Sequence, residues 1–166
     1  MAIILVPNLT LLPQDKSNGC WYFCAKMMSK WAADNNKTAI KDPSTINDNR
    51  GNLQTLYETN AGYSQGTCAE LAQRLGGLTA LERTKRGFAE FKTLISKGPI
   101  FAAGAKGGAT GSYHVVVIAG VADTGLLFFD PLPLNVGKKV WRTWDWLDGY
   151  FALDDKSIDK NLLVPA

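Results

Sequence analysis

Gln14-Asp15-Lys16-Ser17-Asn18-Gly19-Cys20-Trp21-Tyr22-Phe23-Cys24 is the stretch on which the fold turns. From Cys20 onward the apolar positions Cys20, Phe23, Cys24, Met27, Met28 and Trp31 recur at i, i+3, i+4, i+7, i+8 and i+11. That spacing predicts one buried face of a helix about fifteen residues long. Ser17 or Asn18 is expected to cap its start, and Asp34-Asn35-Asn36 to end it. Cys20 therefore opens a helix, where the first-turn N–H groups and the helix dipole favour thiolate over thiol. Cys24 lies one turn further in, on the apolar face, and reads as structural. Cys68 also falls near a predicted helix start, so position alone does not single out Cys20.

Outward from this helix the texture changes. Residues 1–19 read as an extended lead-in punctuated by Pro7, Pro13 and Gly19, and residues 35–66 as polar loops around a short helix near Leu53–Tyr57. Helices are expected over 67–76, with a Gly76 stop, and over about 87–97, halted by Gly98-Pro99. Beyond these, Ile100–Ala103, His114–Val121 and Leu126–Asp130 are rich in β-formers and bounded by turn signals, with Lys139–Thr143 as a further strand. Trp144-Asp145-Trp146-Leu147 has the look of a helical turn. Helices first and antiparallel strands later predict an α+β fold, with the Cys20 helix packed on a C-terminal antiparallel sheet.

The 166 residues suit one domain, 1–166, whose core needs neither disulfide nor metal. Three cysteines, an odd number, argue against a disulfide framework. A net charge of +3 with scattered basic residues argues against a nucleic-acid partner. The clusters are small, such as Arg83-Thr84-Lys85-Arg86 and Lys138-Lys139. The longest apolar run, Val115–Ala122, falls far short of the ~18 residues of a membrane span. The start, Met-Ala-Ile-Ile-Leu-Val-Pro, lacks the basic n-region of a secretory signal peptide. The expected location is thus cytoplasmic as made, with export by a signal-peptide-independent bacterial system as an extension. The aromatics Trp141, Trp144, Trp146, Tyr150 and Phe151 read first as core packing and second as a partner surface.

The chain has a single histidine, His114, at the mouth of the run Val115-Val116-Val117-Ile118. A thiol nucleophile needs a base, and His114 is the one imidazole available. Asp130 ends the next strand, after Leu127-Phe128-Phe129, and a carboxylate buried there needs a partner such as an imidazole N–H. A tight hairpin closing at Asp123-Thr124 would set Asp130 opposite Val117 or Ile118, about 10–13 Å along the strand from His114. The two meet only if the ribbon is bulged or strongly coiled. Without such a distortion, Asn135 is the fallback.

Gln14, six residues before Cys20, then Trp21 directly after it, and His114 and Asp130 on late strands resemble the papain-like cysteine peptidases. The stretches Leu94-x3-Gly98-Pro99-Ile100, His114-Val-Val-Val-x2-Gly120 and Asp130-Pro131 are most similar to compact bacterial members. These include plant-pathogen effector proteases and leader peptidases of bacteriocin exporters. The resemblance implies a Cys20–His114–Asp130 triad, with Gln14 and the Cys20 N–H serving the oxyanion. It implies a peptide or protein substrate, no cofactor, and, for an exported toxin, an immunity or inhibitor protein as partner. Asp130 stands where many papain relatives carry Asn, and the Cys-Gly-Ser-Cys-Trp signature is absent. The same triad serves transglutaminase, deamidase, acyltransferase and peptidoglycan amidase chemistry, since each passes through a thioester. A rival of another class is a non-catalytic Cys3His zinc module built from Cys20, Cys24, Cys68 and His114.

Overall fold

The computed structural model describes residues 1–37, 39–82, 84–104, 114–150 and 161–166, the last two of residues 114–150 as backbone alone. In chain order the elements are β1 (Ile3–Leu5), α1 (Cys20–Asp34), β2 (Asn47–Asp48), β3 (Gly51–Asn52), α2 (Leu53–Glu58), α3 (Cys68–Leu75), β4 (Leu78–Leu81) and α4 (Phe88–Ile95). Then follow β5 (Ile100–Ala103), β6 (Val115–Ala122), β7 (Gly125–Asp130), β8 (Lys138–Thr143), α5 (Trp144–Tyr150) and β9 (Leu162–Pro165). A seven-stranded antiparallel sheet runs β4-β9-β5-β6-β7-β8, with β1 also paired to β6. The α+β expectation holds, with one change: β1 and β4, from the first half of the chain, also join the sheet.

All eight residues of β6 are buried, because α1 and α4 both pack against it. Burial along the whole strand explains why its sequence is a continuous apolar run rather than an alternation. Met27 and Met28 of α1 are fully buried, as are Ile100 of β5 and Val117 and Ile118 of β6. β1 needs Gly120: a Cβ there would sit 2.8 Å from Leu5 Cδ2 and 2.9 Å from Ile4 O. The N–H of Val6 continues the pairing by donating to Ala119 O at 2.9 Å.

The helix ends follow local rules. Thr67 and Glu70 form a reciprocal capping box at the start of α3. After α4 the chain turns through Gly98 at φ +140, directly under the Trp31 ring. For α1 the cap differs from expectation. Gly19 is its N-cap and no side chain caps it, because Ser17 and Asn18 turn away to bond Asn60.

Of the late aromatics, Trp144 tilts against Phe91 and Trp146 stands edge-on to Phe128, whereas Trp141 is 43% exposed. The Tyr150 side chain, Phe151 and Arg83 lie outside the described residues. No helix among the described residues is long and apolar enough to cross a membrane.

Candidate active site

Cys20 enters the site as the first residue of α1, just below the surface at 8% exposure. Since no side chain caps the helix, its first-turn N–H groups keep their polarity directed at whatever sits at the mouth.

His114 arrives from the other end of the chain. It precedes β6 and is fixed by its backbone, whose carbonyl accepts from Gly104 N–H at 2.9 Å. Its buried ring bonds Asp130 through Nε2, 2.7 Å from Oδ1, and the Cys20 side chain is close enough to help hold the ring's proton.

The expected distortion of the ribbon is present. Across the hairpin Ala122 pairs Gly125 and Gly120 pairs Leu127, but Ile118 then pairs Phe128 and Val117 pairs Phe129. One extra residue is taken up between Ile118 and Gly120, which brings Asp130 one position nearer His114 and adds local twist. Asp130 is thereby the partner of the imidazole. Asn135 instead uses its backbone N–H, donating to Gln14 O at 2.8 Å.

The electrostatics follow from this arrangement. Burial alone would lower the His114 pKa, but the hydrogen bonds and charges of Asp130 and Cys20 outweigh it and hold the imidazolium up to about 9. Burial would likewise raise Asp130. The His114 bond and charge, the Leu132 N–H at 2.9 Å and Lys138 outweigh that, keeping the carboxyl below its ordinary value.

The other two cysteines are in different settings. Cys24 is fully buried with Sγ 3.4 Å from Val115 O. Burial first, then the charges of Cys20 and Asp130, push its thiol well up. Cys68 opens α3 much as Cys20 opens α1, yet burial pushes it up to about 11. Contact with the imidazole, not the helix start, is what distinguishes Cys20. Among the described residues no three His, Cys, Asp or Glu side chains gather to hold a metal ion. Cys20, Cys24, Cys68 and His114 therefore do not converge as a ligand set.

Gln14 is fully buried beside the same loop. Its Nε2 donates to Lys16 O at 2.7 Å and to Ser17 O at 3.1 Å, while Oε1 has no hydrogen-bond partner. Its backbone is stapled to the segment after Asp130: Gln14 N–H donates to Pro131 O at 3.0 Å, and Gln14 O accepts from Asn135. Gln14, Cys20, His114 and Asp130 thus belong to one neighbourhood. What sequence reasoning missed is the wall made by residues 57–61. Tyr57 OH bonds Asp15, and Trp21 Nε1 donates to Ala61 O at 3.0 Å.

The sequence profile of the family described as papain-like cysteine protease AvrRpt2 matches residues 5–140, well over half the chain. The solved structure of a C39-like peptidase from Bacillus anthracis aligns over 100% of this chain and 98% of its own, with a TM-score of 0.51. At 16% identity that likeness is one of fold. No curated protein matches the chain at a significant level.

Proposed function

The chain belongs to the papain-like cysteine protease AvrRpt2 family, and on that footing we propose that it cleaves peptide bonds with Cys20 as nucleophile and His114 as general base and acid. Asp130 orients the ring and stabilises its charged form. The observation that carries the reading is the 2.7 Å His114–Asp130 hydrogen bond, with the Cys20 thiol at an uncapped helix mouth and near enough to help raise the imidazole pKa.

In the acylation step the Cys20 sulfur attacks the scissile carbonyl and the oxygen takes up negative charge. His114 then gives its proton to the departing amine, and the acyl group remains as a thioester. Water, deprotonated by the now neutral His114, releases the acid and restores the thiol. The Cys20 backbone N–H is one oxyanion donor, a contribution of about 3 kcal/mol.

Gln14 Nε2 is the second donor in this reading. Its hydrogens rest on neutral carbonyls in the free protein, and the 3.1 Å bond to Ser17 O is the longer of the two. Exchanging that bond for one to a full anion is favourable only once the anion forms, which is when stabilisation lowers the barrier.

The substrate is a peptide or protein, acted on by one domain spanning 1–166. Export as an effector without a signal peptide, and restraint by an inhibitor protein, extend the same proposal. Growth arrest of cells expressing the wild type but not Cys20→Ala would support that extension.

The test of the chemistry is intact-mass analysis after E-64, or after iodoacetamide at mildly acidic pH. Single labelling at Cys20 that disappears in His114→Ala is the expected result. Equal labelling of Cys20, Cys24 and Cys68 would overturn the assignment.

A further inference from the structure

Asn60 closes α2 and bonds across to the loop that leads into Cys20. It has φ 55, the left-handed residue just past the helix end, and its N–H donates to Tyr57 O at 2.9 Å. A glycine would serve that helix end equally well. The asparagine side chain does something glycine cannot. Its Oδ1 accepts from Asn18 N–H at 3.0 Å and its Nδ2 donates to Ser17 Oγ at 3.0 Å, while its backbone O accepts from Asn18 Nδ2 at 3.0 Å.

Three hydrogen bonds from one residue thus hold the two positions before Gly19 and Cys20. They are exposed, so each adds little to global stability. Together they fix a backbone, and that backbone sets where the Cys20 N–H points and where the Ser17 carbonyl waits for Gln14 Nε2. Resting on the reading of Cys20 as nucleophile, we propose that Asn60 is a positioning residue that locks the Ser17-Asn18-Gly19 segment in the geometry of the oxyanion site.

Two reactions at the same sulfur separate this role from a structural one. Alkylation by iodoacetamide forms no oxyanion. Acylation by the p-nitrophenyl ester of N-benzyloxycarbonylglycine does, and its burst reads the acylation rate at saturating and at limiting ester. In Asn60→Gly the helix end is preserved and the side chain removed. Acylation is expected to fall at least about tenfold at saturation, with the half-saturating ester concentration and the Cys20 alkylation rate each within about twofold of wild type.

Unchanged acylation overturns the proposal, and so does a parallel loss of acylation and alkylation. If Asn60→Gly does not fold, Ser17→Ala, which deletes the Nδ2–Oγ bond, serves instead. It should slow acylation while the Cys20 alkylation rate stays within about twofold of wild type; a wild-type acylation rate, or a parallel loss of alkylation, overturns the proposal. Failure of the nucleophile reading is seen separately, in the wild type: Cys20 unlabelled, or an ester burst that survives Cys20→Ala.

Discussion

His114, just before β6, and Asp130, the last residue of β7, hold Nε2 and Oδ1 2.7 Å apart, although regular pairing from the hairpin turn would leave them further from reach. The bulge between Ile118 and Gly120 makes the difference. The resulting bond to Asp130 holds the ring and its proton, and this sets how the site responds to pH.

The imidazolium is held up to about 9 by Asp130 and Cys20 against the opposing effect of burial. The alkaline limb of kcat/KM is therefore expected near pH 9, where His114 loses the proton it gives to the leaving group. In Asp130→Asn the limb should move down by at least about one unit toward the ordinary value near 6.5. Stability follows the same groups. A raised histidine pKa stabilises in full below about 6.5 and is lost as pH rises through about 9; the lowered Asp130 pKa stabilises above about 3.9 and is lost as pH falls through its folded value. Urea unfolding at pH 7 and pH 10 should show this alkaline loss in wild type and not in His114→Gln. A limb unmoved in Asp130→Asn would contradict the account.

Gly98 lies where no other residue fits. At φ +140 a Cβ would approach Trp31 Cη2 to 2.4 Å. Gly98→Ala should lower the unfolding free energy by about 2–4 kcal/mol, through overpacking and backbone strain together. The measurement is chemical denaturation monitored by tryptophan fluorescence, and a loss below about 0.5 kcal/mol would refute the steric reasoning.

Arg74 ties the middle of the chain together. Its side chain is only 5% exposed and bonds Asp48 at 2.8 Å, Gln65 at 2.8 Å and Gly51 O at 2.7 Å. A lysine keeps the charge but not the fork that reaches three partners. Arg74→Lys should cost about 2 kcal/mol and open residues 48–65 to limited proteolysis. Wild-type stability and an uncut loop would show that the hub is dispensable.

The parts readable in the sequence were those with local causes. α1 announces itself by six apolar positions on one face, α3 by its Gly76 stop, and β5 to β7 by dense β-formers between turns. β1, β4 and β9 carry no such signal. Ile3–Leu5 and Leu162–Pro165 are short apolar runs whose state depends on remote partners, Gly120 for the first and Ala102 for the second. The site divides in the same way. Cys20 and His114 stand out by residue type and position, and Asp130 by ending an apolar strand. Asn60, forty-two residues from Asn18, looks like any polar turn residue until the fold brings the two together. The cap shows the converse error: Ser17 and Asn18 have the right chemistry to cap α1, but Asn60 competes for them.

The staple between Gln14 and the segment after Asp130 consists of two main-chain hydrogen bonds. Peptide groups are common to all sequences, so the side chains of Leu134 and Val136, both exposed, can be exchanged without loosening Asp130 from the loop that leads into Cys20.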